Sequence, residues 1–377
     1  MKVSKKWSAA IRWLPVSVTS LMILIPQLAA FAESGTSRIT GSLSESRFQQ
    51  SAFLLQDGNV LIFGGLNGPR EALTVTELYD PATGRWSASG ELRVGRLGSA
   101  AAMLADGRVF VVGGSMEALR FEGKPKIAEI YDPASGQWKK SGKMKKGRVM
   151  ATATLLGDGR VLVAGGDESE GGTYQIYDPN SQSFTAREPM PLRLHGHSAT
   201  LLADGRVLIA GGATGSNFFD ENDEPQARAF LFDPVFNAWS ETGPMRDPRS
   251  RHKAVLLPQT GEVLVIDDNH AELYDPGTGA WRRTDDLRST HRGASITLLF
   301  DGRVLVTGGV VSDGAGNPRV EIFSPATGTW AEDGLLLQTR FHHTATRLLD
   351  GSVLLVGGKG ALQQGFPLTA SAEIYTR

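Results

Sequence analysis

Short aliphatic runs return along almost the whole chain, each opened by Asp-Gly or a close variant and most closed by Gly-Gly, as in Asp158-Gly159-Arg160-Val161-Leu162-Val163-Ala164-Gly165-Gly166. Seven such phrases start at Asp57, Asp106, Asp158, Asp204, Thr260, Asp301 and Asp350, an average spacing of about 49 residues, the length of one supersecondary unit in a repeat protein. An apolar run of this length bounded by turn residues predicts a short strand. Each unit then predicts four short strands; in the third they are 151–156, 161–165, 174–177 and 183–186.

Turn chemistry separates these strands. Asp158-Gly159 lies between the first two runs, where a tight hairpin needs a positive φ that Gly adopts without steric cost. Between the third and fourth, Asp80-Pro81-Ala82-Thr83-Gly84 combines a fixed proline φ with an Asp able to bond its own backbone, and units 2, 5 and 6 repeat it closely. The fourth strand carries an aromatic in six units (Trp86, Trp138, Phe184, Trp239, Trp281, Trp330), which predicts packing between units rather than ligand stacking. The seventh unit stops at Glu373-Ile374-Tyr375-Thr376-Arg377, without its fourth strand, while Ser37–Leu43 aligns in register with Trp86–Leu92. The N-terminal segment is therefore expected to be the outermost strand of the last unit, closing a ring and leaving no exposed terminal unit. The predicted fold is all-β: a seven-bladed β-propeller of four-stranded antiparallel blades, about 47–92, 96–143, 148–190, 193–245, 249–287, 291–336, and 340–376 plus 35–43. No linker divides the repeats, so 33–377 is expected to be one domain.

The first 32 residues differ from the rest. Lys2, Lys5, Lys6 and Arg12 precede an apolar run through Leu21-Met22-Ile23-Leu24-Ile25, Pro26 interrupts it, and Ala30-Phe31-Ala32 offers a small-x-small cleavage site. This pattern predicts a signal peptide at 1–32 and an exported protein, periplasmic or extracellular, with no stable membrane anchor after cleavage. The balance of 39 basic and 40 acidic residues gives no drive toward nucleic acid. With no cysteine, an exported chain has no disulfides, and its stability must come from burial and ring closure.

The Gly-Gly doublet, the Glu-x-Tyr-Asp-Pro segment and the Trp strand, recurring in fixed order from about residue 35 to 377, resemble the kelch repeat family. That resemblance implies a propeller but selects no function, since kelch propellers host enzymes, scaffolds and ligand binders.

In such a blade the loops between second and third strands share one rim with the links between blades. Their lengths run from almost nothing in blade 5 to Ala213–Arg228 in blade 4, which holds Phe218, Phe219, Asp220, Glu221, Asp223 and Glu224; blade 2 offers Phe121, Lys124 and Lys126. Variable loops on a rigid scaffold are where binding residues concentrate. On this rim Arg47, Arg96, Arg148, Arg249 and Arg340 each lie eight residues before a leucine, with Arg193 and His291-Arg292 as shifted equivalents. Such a ring could bind carboxylates or sulfates through paired hydrogen bonds. Equally, it could pair with Glu77, Glu129, Glu272, Glu321 and Glu373, which begin the third strands. His197, His252 and His343 share one repeat position near His195, His342 and His291, and read as polar packing or as ligand contacts. Blade 5 replaces Gly-Gly with Asp267-Asp268, followed by Asn269-His270. Asp267, Asp268 and His270 are candidate cation ligands, although a tight turn closing a shortened hairpin accounts for them without a metal.

Among kelch-like proteins, galactose oxidase depends on a tyrosine cross-linked to cysteine, and the absence of cysteine excludes that copper-radical chemistry here; no cofactor is expected. Periplasmic sialic-acid mutarotases are similar at repeat level, and Arg, Glu and His on one rim could meet their need for acid-base groups. The reading favoured by the residues is a non-catalytic binding or interaction propeller with a protein or glycan ligand on the variable rim. A carbohydrate-active isomerase is the alternative.

Overall fold

The computed structural model describes residues 34–68, 71–117, 123–166, 172–186, 188–215, 223–360 and 367–377. The expected leader at 1–32, Phe121, and Phe218 to Glu221 lie outside them. Seven antiparallel sheets are formed, and each runs in chain order from an innermost first strand to an outermost fourth. The last sheet is the exception that closes the ring: Thr36–Thr40 pairs with Ala372–Thr376, from Thr36 opposite Thr376 to Thr40 opposite Ala372. The N-terminal segment is thus the outer strand of blade 7, as its register with the Trp strands predicted. In blade 3 the outer strand is split into Ser183–Phe184 and Glu188–Pro189, both pairing Thr173–Asp178.

The second strands carry the core. Val60–Phe63, Val109–Val112, Val161–Ala164, Val207–Ala210, Val304–Thr307 and Val353–Val356 are buried along their whole length, as continuous apolar runs should be when blades cover both faces. Each Trp ring packs against the third-strand aromatic of its own blade, as in Tyr79–Trp86 (5.0 Å) and Phe232–Trp239 (4.9 Å). Several also reach the preceding blade: Trp138 Nε1 donates to Thr76 Oγ1 at 3.0 Å and Trp281 Nε1 to the Gly243 carbonyl at 2.7 Å. Third-strand tyrosines form a second clip between blades, Tyr79 with Thr40 (2.7 Å), Tyr131 with Ser89 (2.7 Å), Tyr274 with Thr242 (2.9 Å) and Tyr375 with Asp333 (2.8 Å).

The Gly-Gly doublets perform a third task. The second glycine donates its N–H to a carbonyl at the start of the next blade: Gly65 to Arg96, Gly114 to Arg148, Gly166 to Leu194, Gly212 to Arg249, Gly309 to Arg340 and Gly358 to Arg47, all at 2.7–2.9 Å. Both glycines of each doublet have positive φ, and a Cβ on the first would collide with that same carbonyl. Glycine is required here by backbone approach as well as by dihedral. The seam between blades 5 and 6, where the doublet is Asp267-Asp268, lacks the stitch. Instead Asp267 continues its strand, Val263–Asp267, and pairs with His270. Asp268 takes φ 52° in the two-residue turn. The direction of the bond is reversed, His291 N–H donating to the Asp268 carbonyl at 3.0 Å.

Candidate functional site

The ring of arginines is part of the frame. Arg47, Arg96, Arg148, Arg249 and Arg340 are at most 3% exposed, and four of them meet the third-strand glutamates: Arg47–Glu77 (2.7 Å), Arg96–Glu129 (2.7 Å), Arg249–Glu272 (2.5 Å) and Arg340–Glu373 (2.9 Å). The second carboxylate oxygen of each glutamate accepts a backbone N–H from the link between blades, as Glu129 does from Arg93 at 2.8 Å and Glu373 from Leu337 at 2.9 Å. Burial lowers the Arg96 and Arg340 guanidinium pKa, and the glutamate partner offsets only part of that. Of the two readings open in the sequence, pairing with glutamate is the geometry observed.

The structure also corrects the register. His291, not a shifted Arg292, occupies the arginine position of blade 6, its Nε2 3.0 Å from Glu321 and its Nδ1 2.7 Å from the Gly308 carbonyl. Burial alone would raise the Glu321 carboxyl, but the His291 hydrogen bond and the Arg288 N–H outweigh it and hold it below the ordinary value. In blade 4 the equivalent residue is Leu194, beside Arg193, and the glutamate position is Phe230; both are buried in one apolar cluster. Blade 4 has therefore exchanged both members of a buried ion pair for two hydrocarbons, a replacement of the kind that is often neutral or stabilising. Blade 3 keeps Arg148, which donates to the Gly165 and Thr173 carbonyls at 2.7 and 2.8 Å, and carries Gln175 in the glutamate's place.

Three residues after the arginine position stand Gln50, Ser99, Ala151, His197, His252, Ala294 and His343. The three histidines reach back to the preceding blade, His197 to Thr152 (3.0 Å), His252 to Ser198 (2.9 Å) and His343 to Thr307 (3.2 Å); Gln50 donates to the Val356 carbonyl at 2.7 Å. Each ring lies over the first glycine of that blade's doublet, respectively Gly165, Gly211 and Gly308. Burial holds His197 and His252 to a pKa of about 3, so they are neutral packing groups at ordinary pH. Between blades 5 and 6 the position is Ala294, and the space it leaves faces Asp267.

The residue just before these, Gln49, Gly98, Met150, Gly196, Arg251, Gly293 and His342, has φ between 52° and 73° in all seven blades, 52–59° at the four that are not glycine. Neighbours join around the axis: His342 N–H donates to Gly293, Gln49 to His342, Met150 to Gly98, Gly196 to Met150 and Arg251 to Gly196, at 2.6–3.0 Å. This collar surrounds the mouth of a central cavity of about 910 Å³ on the variable rim. The cavity is lined by all seven collar residues together with Lys253, Asp267, Asp268 and Arg292. His197, His252, His343 and Arg249 also reach its wall.

Charge at the mouth concentrates around blades 4 to 6. Asp268 accepts two bonds from Arg292 (3.1 and 3.0 Å), and His270 pairs with Asp286 at 3.0 Å. Of the candidate cation ligands, Asp268 and His270 are thus committed to different neighbours, and among the described residues no group of three or more such side chains is placed to hold a metal ion. Asp267 faces the cavity, its carboxyl raised by burial and by Asp268. Asp223, at the described end of the blade 4 loop, stands 3.2 Å from His195 and 3.4 Å from Arg251.

Comparison with known proteins agrees with this repeat architecture. No family model matches the chain. A galactose oxidase of Gibberella zeae is 33% identical over 82 residues, 22% of this chain and 11% of its own length. An F-box/kelch-repeat protein of Arabidopsis thaliana is 33% identical over 97 residues, 26% of this chain and 24% of its own. These stretches, together with the seven four-stranded blades, support a kelch-repeat propeller. The chain spans a quarter or less of those relatives, so their activities are not carried over. A fungal alcohol oxidase of the AA5 family, solved with copper, superposes with a TM-score of 0.69 over 92% of this chain and 76% of its own at 17% identity, which shows the fold alone.

Two features of this kelch propeller escaped the sequence reading. The collar was hidden because Gln49, Met150, Arg251 and His342 share no chemistry; only the glycines at the other three positions hinted at a common backbone requirement. Lys253 went unnoticed because one lysine at the start of a strand carries no motif. Its sister positions, Ser51, Ala100, Thr152, Ser198, Ser295 and Thr344, are small, so it is the one charged residue among them.

Proposed function

We propose that this chain is an exported, non-catalytic binding propeller whose ligand is a small polar molecule, a carbohydrate in the first instance, held in the channel mouth on the variable rim. The observation that carries the reading is the collar. Glycine satisfies its left-handed conformation in three blades, whereas Gln49, Met150, Arg251 and His342 hold it at a cost of roughly 1 kcal/mol or more each. Strain of this kind concentrates where side chains must be presented to a ligand, and all four line the cavity. The volume, about 910 Å³, falls within the range of small-molecule sites. Export rests on the leader pattern of the first 32 residues.

Calorimetry of the mature chain against a panel of neutral and acidic monosaccharides, with anomer-exchange NMR on each binder, tests the reading. Binding without turnover is expected. In the variant carrying Gln49→Gly and His342→Gly binding should fall while stability stays level or rises. Accelerated anomer exchange would instead establish a carbohydrate-active enzyme, for which the raised Asp267 and lowered Lys253 pKa values supply candidate acid-base groups. Binding that is indifferent to the two glycine substitutions would move the site off the collar.

A further inference from the structure

The cations at the channel mouth are almost all answered by carboxylates. Arg249 has Glu272 at 2.5 Å, Arg292 has both oxygens of Asp268, and Arg251 stands 3.4 Å from Asp223. Lys253 is different. It opens the innermost strand of blade 5, Lys253–Leu256, where its backbone pairs with Ile266, while its side chain is exposed, lines the channel, and has no hydrogen bond or ion pair to a side chain among the described residues. It is open to channel water, and partial desolvation by the channel walls pushes its amine below the ordinary lysine range. Behind burial, its charge is the next cause lowering His342, and it also lowers His343.

A second donor is left open beside it. Five of the seven collar seams are closed by an N–H donated to the preceding collar carbonyl; Gly98 makes no such bond to Gln49 and Gly293 none to Arg251, and of these two it is Gly293 that shares a niche with Lys253. The gap at Gly293 lies at the seam where Asp267-Asp268 replaces the doublet and where a niche is lined by Arg251, Lys253, Asp267 and Gly293. Asp267 lines the same niche, but among the described residues it forms no ion pair with Lys253.

We propose that Lys253, with the Gly293 N–H, anchors the single carboxylate of a small hydroxylated acid, with the rest of the molecule lying across the collar. One unanswered positive charge in a desolvated channel is balanced by a monoanion; a dianionic phosphate would bring in a second charge with no partner. Hydroxyl and amide groups of Gln49, Ser51, Ser250 and Thr344 on the lining suit the hydroxyls of such a ligand. The inference rests on the channel mouth being a ligand site, and adds to it the charge of the ligand and the residue that selects it.

Calorimetry at constant ionic strength with sodium D-glucuronate and D-glucose separates the two claims. Wild type should bind glucuronate at least about tenfold more tightly than glucose, a hydrogen bond to a charged group being worth that much. Lys253→Met should erase the difference by weakening glucuronate and leaving glucose within about twofold, while Lys253→Arg should keep most of it. Since Lys253 has no partner, its loss should leave the melting temperature unchanged. Equal binding of both sugars to wild type, or a preference that survives in Lys253→Met, overturns the anchor but leaves the channel as a site. No heat from either sugar up to millimolar concentration overturns both.

Discussion

Two neighbouring seams of one ring, built from the same repeat, are joined in opposite ways. Between blades 6 and 7, Gly309 donates to the Arg340 carbonyl, His343 covers Gly308, Arg340 meets Glu373, Tyr375 reaches Asp333, and the collar closes through His342 and Gly293. Between blades 5 and 6 almost every part is exchanged: Asp267-Asp268 for the doublet, Ala294 for the histidine, His291 for the arginine, Phe323 for the tyrosine, and no collar bond between Arg251 and Gly293. The exchanges compensate one another, because a side chain at Asp267 needs the room that Ala294 leaves. What the second seam loses in stitching it gains as a niche open to the channel. Departures from a repeat therefore have to be read as sets.

The sharpest way to break the comparison is at the buried pair. Arg340→Leu should cost about 3–5 kcal/mol by leaving Glu373 buried without its partner, whereas adding Glu373→Phe, which copies Leu194 and Phe230 of blade 4, should restore most of it. Urea unfolding of the single and double variants decides this; a double variant as unstable as the single would mean that blade 4 is no guide to blade 7. Next in size, Gly308→Ala should cost about 2–3 kcal/mol, from positive φ and collision with the Arg340 carbonyl. Asp267→Gly in the other seam should change unfolding free energy by less than about 1 kcal/mol. Comparable losses at both positions would show that the two seams are not built differently.

Acid should separate the seams in a graded way. His197 and His252 fall to a pKa of about 3 and His343 falls well below its ordinary value, all chiefly by burial. Between about pH 6.5 and those folded values the unfolded chain binds more protons, so stability is complete above about pH 6.5 and drains as pH falls. Replacing the three by Gln, the residue that blade 1 carries at Gln50, should flatten the melting temperature over that window, and an unchanged slope would trace acid sensitivity elsewhere. The smallest effect expected is Tyr375→Phe, about 1 kcal/mol for one hydrogen bond, which makes the seam between blades 6 and 7 resemble its neighbour at Phe323.

Much of this was legible in the chain. The 49-residue phrase, the Asp-Gly turns and the Trp strands are local signals, set by dihedral preference and continuous apolar runs, and they carried the blade count. Even the ring closure could be read, because Ser37–Leu43 keeps the spacing of a Trp strand. Register within the links was harder: Arg193 lies one residue from Leu194, and the charge of Arg193 drew attention away from Leu194, which keeps the eight-residue spacing to Leu202 and packs in one cluster with Phe230.

By itself, then, the sequence determined seven four-stranded blades, their turns and the strand that closes them, since each is announced by a local pattern that the repeat makes recognisable, even where, as at Thr36–Thr40 and Ala372–Thr376, the pairing joins the two ends of the chain. Tertiary structure alone decided that the arginines are spent on glutamates, that four unlike residues share one left-handed collar, and that Lys253 faces the channel unanswered. Those outcomes depend on which side chains from different blades meet across a seam, and distance along the chain carries no record of that.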